Sequence, residues 1–293
     1  MSSLELTPLH PLFAAEARGI DIAQPLSPSE VKQINAAMNR YAVLVWRGQP
    51  LTGRQQIDFA KAFGPLDLGL KKVFKRPERL EDERLIDISN VDAEGKVARR
   101  DSPKNLSNFA NQLWHSDSSF QNPRAAYSML HALVLPSWGG NTEFADLRAA
   151  YDALPERTRS EIEGLCAEHY ALHTRILLGD EAYTDDQKKA IPPAVWPLAQ
   201  THPGSGRKLL FVGVHAREII GWPVAEGRMF LSDLLEHATR REFVYAHEWQ
   251  VGDLVMWDNR STLHRGRRYD IGERRELRRT TIEDVPEATL MAA

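Results

Sequence analysis

Gly252-Asp-Leu-Val-Met-Trp-Asp-Asn-Arg-Ser-Thr-Leu-His264 reads as a turn, a buried strand, an Asp-Asn turn and a second strand that begins near the histidine. On either side lie further short β-rich runs: Leu85-Ile-Asp-Ile88, Ala126-Tyr-Ser-Met-Leu130, Lys208-Leu-Leu-Phe-Val212 and Phe243-Val-Tyr245. Helical patterns over 146–154, 156–165 and roughly 224–238 separate them. Many short strands with long excursions predict a mainly β fold with helices (α+β), a barrel or jelly roll decorated by N-terminal and inserted helices. No G-x-G-x-x-G or Walker sequence follows any strand, which argues against a parallel doubly wound sheet.

The first third alternates helix and strand. Ser27 reads as an N-cap with Pro28 at the first helical position and Glu30 completing a capping box; Val31, Ile34, Ala37 and Met38 then form one apolar stripe. Tyr41 to Trp46 reads as a short buried strand, and Thr52 with Gln55 repeats the capping signal before a helix stopped at Gly64-Pro65. There is no internal repeat, low-complexity tract or Gly/Ser linker. The expectation is a single domain over 1–293, with an N-terminal edge over about 1–84 and a core with a helical insertion over about 85–285.

The 293 residues are 42% hydrophobic and 26% charged, which disfavours disorder, collagen and coiled coil. One cysteine, Cys166, excludes an intrachain disulfide and a cysteine zinc site. The start lacks a signal-peptide pattern, and the most apolar stretch, 125–138, is too short to span a bilayer. With 37 basic against 40 acidic residues the net charge is −3, so there is no global nucleic-acid signature. The expected protein is soluble and cytoplasmic, with no membrane or nucleic-acid partner.

The ten histidines contain no H-E-x-x-H pair and one His-x-Asp, His115-Ser-Asp117. On a strand those two side chains share a face and could hold one ion together. Average composition supplies such a pair by chance about half the time, so a second histidine is needed. His264, 149 residues later, is the candidate. Two imidazoles and a carboxylate leave three positions open on ferrous iron, but they suit Mn(II), Ni(II) and Zn(II) too. Seven arginines then fall between 265 and 279. If 274–281 is a strand, Arg275, Leu277, Arg279 and Thr281 share one face. A buried guanidinium requires an anion, and arginine grips a carboxylate with two parallel N–H bonds. Metal beside two carboxylate receptors suggests an oxidase with an acidic co-substrate and an acidic substrate.

His115-x-Asp117, Gly139-Gly140-Asn-Thr142-Glu-Phe-Ala-Asp146, Trp257-Asp-Asn-Arg-x-x-x-His264 and Arg275 together resemble the taurine/2,4-dichlorophenoxyacetate dioxygenase family, end to end. The runs 108–120, 167–172, 223–229 and 264–271 are most similar to members that cleave 2,4-dichlorophenoxyacetate. The resemblance implies a double-stranded β-helix (jelly roll), Fe(II), 2-oxoglutarate as co-substrate, O2, stimulation by ascorbate, and a homodimer or higher homo-oligomer. By position it makes His115, Asp117 and His264 the iron ligands and catalytic centre. It places Thr142 and Arg275 on the distal carboxylate of 2-oxoglutarate, and Arg279 beside the substrate anion. Lys72, Lys96 and His202 fall where herbicide-degrading relatives have residues suspected of substrate contact. Two departures, the doubled Lys71-Lys72 and Asn141 in place of an acidic residue, bear on substrate preference.

The reaction implied is hydroxylation of the methylene between ether oxygen and carboxylate of a phenoxyacetate, a small aromatic carboxylate, giving a phenol, glyoxylate, succinate and CO2. Phe74, Phe109, Leu113, Trp114 and Trp222 are candidates for the aryl pocket, with Trp114 expected to face the core, opposite His115. The same chemistry on a sulfonate, alkyl sulfate or aryloxypropionate is the alternative; a non-catalytic acid-binding barrel with structural zinc is a second.

Overall fold

The strand Leu254–Asp258 lies at the centre of a seven-stranded sheet. It is flanked on one side by Val43–Trp46, Ala15–Arg18 and Glu5–Pro8, and on the other by Ala125–Val134, Glu276–Glu283 and Ile86–Ser89. All pairings are antiparallel except Ala15–Arg18 with Val43–Trp46. A second, three-stranded antiparallel sheet has Thr142–Asp146 in the middle, between Val244–His247 and Thr262–Gly266. The computed structural model describes residues 3–72, 79–80, 82–179 and 183–285.

Successive side chains on a strand point to opposite faces, and here both faces are covered. Val43, Val45, Val255, Trp257, Leu130 and Leu277 point between the sheets, where they meet Phe144 and Tyr245 of the smaller one. Leu44, Trp46, Leu254, Met256 and Met129 point the other way, onto Ile34, Met38 and Phe59 of the helices Pro28–Tyr41 and Gly53–Lys61. Ala145 and Leu263, on the outer face of the smaller sheet, pack with Leu231 and Leu234 of the helix Val224–Ala238. The layers therefore run helices, sheet, sheet, helices. Burial on both faces is why these strands read as continuous apolar runs without alternation.

Both capping boxes form: Ser27 with Glu30 and Thr52 with Gln55 each satisfy N–H groups that the first helical turn leaves unpaired. Ile34, Ala37 and Met38 are buried along the expected stripe. Three expectations need correction. His115 and Asp117 do not lie on a strand; His115 makes a single bridge to His264, and Asp117 sits in the turn after it. The run Lys208–Val212 is strand only to Leu210. Phe243 closes a short 3-10 turn, and the strand starts at Val244.

Candidate active site

The bridge between His115 and His264 is a pair of reciprocal backbone hydrogen bonds, 3.0 and 2.8 Å. It fixes the two imidazoles side by side, with ring centroids 4.1 Å apart. The chain turns at once, and Asn259, from the turn after Leu254–Asp258, holds that turn in place. Its carbonyl accepts from Ser116 Oγ at 2.6 Å, and its Oδ1 accepts from the Asp117 N–H at 3.1 Å and from Trp257 Nε1–H at 3.0 Å. Its Nδ2 donates to Ser128 Oγ at 2.9 Å, and Ser128 Oγ donates onward to Asp117 Oδ2 at 2.8 Å. Each atom in this chain has one available role, so the carboxylate has little freedom to rotate. The Trp257-Asp-Asn259 string thus does its work through backbone and amide groups that orient a residue about 140 positions earlier.

A ligand atom from each of His115, Asp117 and His264 falls within 4.8 Å of the others, and all three residues are buried. His115 Nδ1 lies 2.7 Å from the Leu113 carbonyl, a bond that places its proton there and leaves Nε2 with a free lone pair toward Asp117. Burial pushes His115 below its ordinary value and His264 well below, so both rings are neutral, as a metal ligand must be. Burial raises Asp117, but the Arg279 guanidinium, with the two imidazoles and Ser128, outweighs it and holds the carboxyl well below the usual range. Two neutral nitrogens and one carboxylate within reach of one point fit a divalent transition metal.

Arg275 is buried, its Nη2 donates to the Gly140 carbonyl at 3.1 Å, and its Nε has no partner. It has no carboxylate partner among the described residues, and burial lowers it to about 10. The Tyr269 ring lies 5.2 Å from its guanidinium carbon. The Gly139-Gly140 pair explains how the chain fits: both have positive φ, and a Cβ on Gly140 would sit 3.0 Å from Arg275 Nε. Beside Arg275 lies a cavity of about 60 Å³ whose wall includes Thr142, His115, His264 and Arg279. A larger cavity of about 260 Å³ meets His115, Asp117 and Arg279 from the other side, lined by Leu70, Phe120, Ala171 and His215 among others. Four basic side chains (Lys71, Lys104, Arg175, Arg279) line it against two acidic ones (Asp87, Asp117).

Residues 5–281 match the family described as taurine catabolism dioxygenase TauD, TfdA family. The chain belongs to the TauD/TfdA family. Its relatives within it include the alpha-ketoglutarate-dependent 2,4-dichlorophenoxyacetate dioxygenase of Cupriavidus pinatubonensis, 62% identical over 96% of this chain and 99% of that one. The (S)-phenoxypropionate/alpha-ketoglutarate-dioxygenase of Delftia acidovorans is 34% identical over 98% and 97%. Among solved structures, the crystal structure of AAD-2 in complex with Mn(II) and N-oxalylglycine superposes with a TM-score of 0.89 at 44% identity, covering 97% of this chain and 98% of that one.

In this TauD/TfdA chain the structure brings His115, Asp117, His264, Thr142, Arg275 and Arg279 together. Arg279 Nη1 donates to Asp117 Oδ1 at 2.5 Å, so its first partner is the triad carboxylate, not an open pocket. His202 is fully buried elsewhere: the Ser205 N–H donates to its Nδ1 at 3.1 Å, and its Nε2 lies 3.0 Å from Asp258, which Arg260 also grips. It therefore cannot meet a substrate in this arrangement. Lys96 is exposed on a turn, where its backbone N–H donates to Asp92 Oδ1 at 2.8 Å. Neither residue lines the two cavities at the triad. The Lys72 side chain and all of Phe74 lie outside the described residues.

Trp114 is buried in the core as its position beside His115 requires, and Arg265 stacks over it at 4.4 Å. Phe109 and Leu113 are partly buried and Trp222 stacks on Phe230; none of these lines either cavity. The apolar wall comes instead from Leu70, Phe120, Ile86, Ile88 and Ala171. Phe120 lies three residues after Asp117, and that proximity was a usable signal. His215 had none: it is one histidine of ten, carried to the site by the backbone bond from the Val214 N–H to the Trp114 carbonyl at 2.9 Å. Among the described residues no helix is long and apolar enough to cross a membrane.

Proposed function

We propose that this protein is an Fe(II)- and 2-oxoglutarate-dependent dioxygenase that hydroxylates the ether-adjacent methylene of 2,4-dichlorophenoxyacetate and similar aryloxyacetates. The observation that carries this reading is Arg275, a buried guanidinium with no carboxylate partner among the described residues, opening onto a small cavity beside the triad. A charge so placed is stable only when an anion joins it. A dicarboxylate that puts one end on Arg275 and Thr142 and the other at the metal meets that need. The near full-length relationship to enzymes acting on 2,4-dichlorophenoxyacetate supports the substrate class.

In this reading His115, Asp117 and His264 would hold iron, which with O2 and 2-oxoglutarate would supply the oxidant. Ser128, Asn259 and the Leu113 carbonyl keep the three donors in place. Arg279, already on Asp117, sits at the wall shared by the two cavities and holds negative charge close to the metal from either side. The larger cavity takes the aryloxyacetate. Leu70 and Phe120 exclude water around the ring, while Arg279 and His215 hold the carboxylate so that the methylene faces the triad. Hydroxylation consumes one O2 and one 2-oxoglutarate, releasing succinate and CO2. The substrate hemiacetal then loses phenol and leaves glyoxylate. We also read the two facing sheets as a double-stranded β-helix within one catalytic domain, and carry forward a cytoplasmic location and homo-oligomeric assembly as parts of the same proposal.

The test is succinate release by the purified, iron-loaded protein with 2-oxoglutarate and ascorbate, with and without 2,4-dichlorophenoxyacetate, while phenol is assayed. Phenol and succinate in equal amounts, only with iron, are expected. Succinate without phenol would retain the co-substrate and move the substrate to another organic anion, such as an aryloxypropionate. No succinate under any of these conditions would end the reading.

A further inference from the structure

Trp249 does not line the cavity beside Arg275 but bonds to a residue of its wall. Its indole Nε1–H donates to Thr142 Oγ1 at 3.0 Å. An indole nitrogen can only donate, so the hydroxyl must accept. Thr142 Oγ1 makes no other hydrogen bond among the described residues, and Thr142 is buried on the wall it shares with Arg275. With one lone pair taken by the indole, the hydroxyl proton and the second lone pair remain for a group in the cavity.

We propose that Trp249 is a positioning residue that fixes the Thr142 hydroxyl as a donor toward the anion gripped by Arg275. This rests on the reading of that cavity as the 2-oxoglutarate site. A hydroxyl that nothing orients is equally a donor and an acceptor. One held by an indole has given up one lone pair and keeps its single proton, which favours the donor role that matches a carboxylate. Trp249 is itself held firmly. The strand Val244–His247 ends opposite Thr142, in register with His247, and Trp249 follows two residues later, past the end of the ladder. Its ring meets the His247 ring edge-on at 4.5 Å, and His247 Nε2 lies 3.2 Å from Asp253. Arg47 completes that chain, 2.6 Å from the same carboxylate. The orientation of one cavity hydroxyl is thus anchored to a charge network on the far side of the sheet.

The experiment is calorimetric titration of the Mn(II)-loaded protein with N-oxalylglycine, which reads binding without turnover. Trp249→Phe keeps the aromatic body and removes the N–H; it should raise the N-oxalylglycine Kd about three- to tenfold and leave the Mn(II) Kd unchanged. Thr142→Val should lose at least as much, and adding Trp249→Phe to it should cost nothing further. In Thr142→Ser, which keeps a hydroxyl, the Trp249→Phe loss should persist; Trp249→Leu serves if the Phe variant folds poorly. Wild-type affinity in Trp249→Phe, or losses that add in the Thr142→Val double variant, would overturn the assignment while leaving the cavity reading intact. Absence of N-oxalylglycine binding by the wild-type protein would overturn both.

Discussion

The small cavity beside Arg275 and the large one beside His215 share a wall at His115 and Arg279, yet they are built from different materials. The small one takes Leu130, Thr142, Trp257 and Arg279 from strands paired on both sides, and closes over them with Asn111, Gln112, Tyr269 and Arg275 from the connecting segments. The large one is assembled from the turn around Leu70, the helix Pro103–Ala110, the turn at Ser118 and Phe120, the helix Ala171–Leu177 and the isolated His215. A sheet ladder fixes side-chain direction residue by residue, whereas short helices and turns fix it only through packing.

The widest effect should come from the triad carboxylate, which holds Arg279 at the wall between the cavities. Asp117→Ala should abolish iron-dependent turnover, by more than about a thousandfold, because it removes a ligand and leaves Arg279 unpaired. Circular dichroism should show the fold retained; full activity with iron would show that the triad is wrongly assigned.

Arg275→Gln should act on one side alone. The KM for 2-oxoglutarate should rise about a hundredfold, the loss expected for two charge-assisted hydrogen bonds, while the KM for the aryloxyacetate stays put. Equal rises in both would mean that the cavities are not separate binding sites. His215→Ala should give the mirror image at smaller scale, raising the aryloxyacetate KM about tenfold with the 2-oxoglutarate KM unchanged. Steady-state kinetics with each substrate varied in turn distinguishes the two.

The smallest effect on catalysis belongs to His202. His202→Ala should leave both KM values where they are and lower stability by about 1–3 kcal/mol, since it strips a buried hydrogen bond from Asp258. Thermal unfolding reads that loss. A rise in the aryloxyacetate KM with unchanged melting would return His202 to the substrate side.

These contrasts also mark what could be read from the chain. Arg275 and Arg279 were legible because a guanidinium on an inward face needs an anion, although the strand expected from 274 begins only at Glu276, one residue after Arg275. His115 with Asp117 was legible as a pair, although the strand expected beneath it is a single bridge and a turn. His202 was misplaced because a histidine in Thr-His-Pro-Gly carries no mark of the buried carboxylate it meets 56 residues away. Phe120 could be read from its place three residues after Asp117, whereas Leu70 and His215 could not, because no spacing connects residues from separate turns and helices.

By itself the sequence determined the local physics: capped helices, doubly buried strands, the triad residue types and the two arginines that demand anions. Local hydrogen-bonding and burial rules act over a few residues, so they can be read along the chain. Only the tertiary structure decided that Asn259 would orient Asp117, that Arg279 would spend its first bond on that carboxylate, that Arg275 would find none among the described residues, and that Trp249 would bond to Thr142. Those facts depend on which distant groups packing brings within about 3 Å, a distance at which hydrogen bonds are decided and about which sequence separation says nothing.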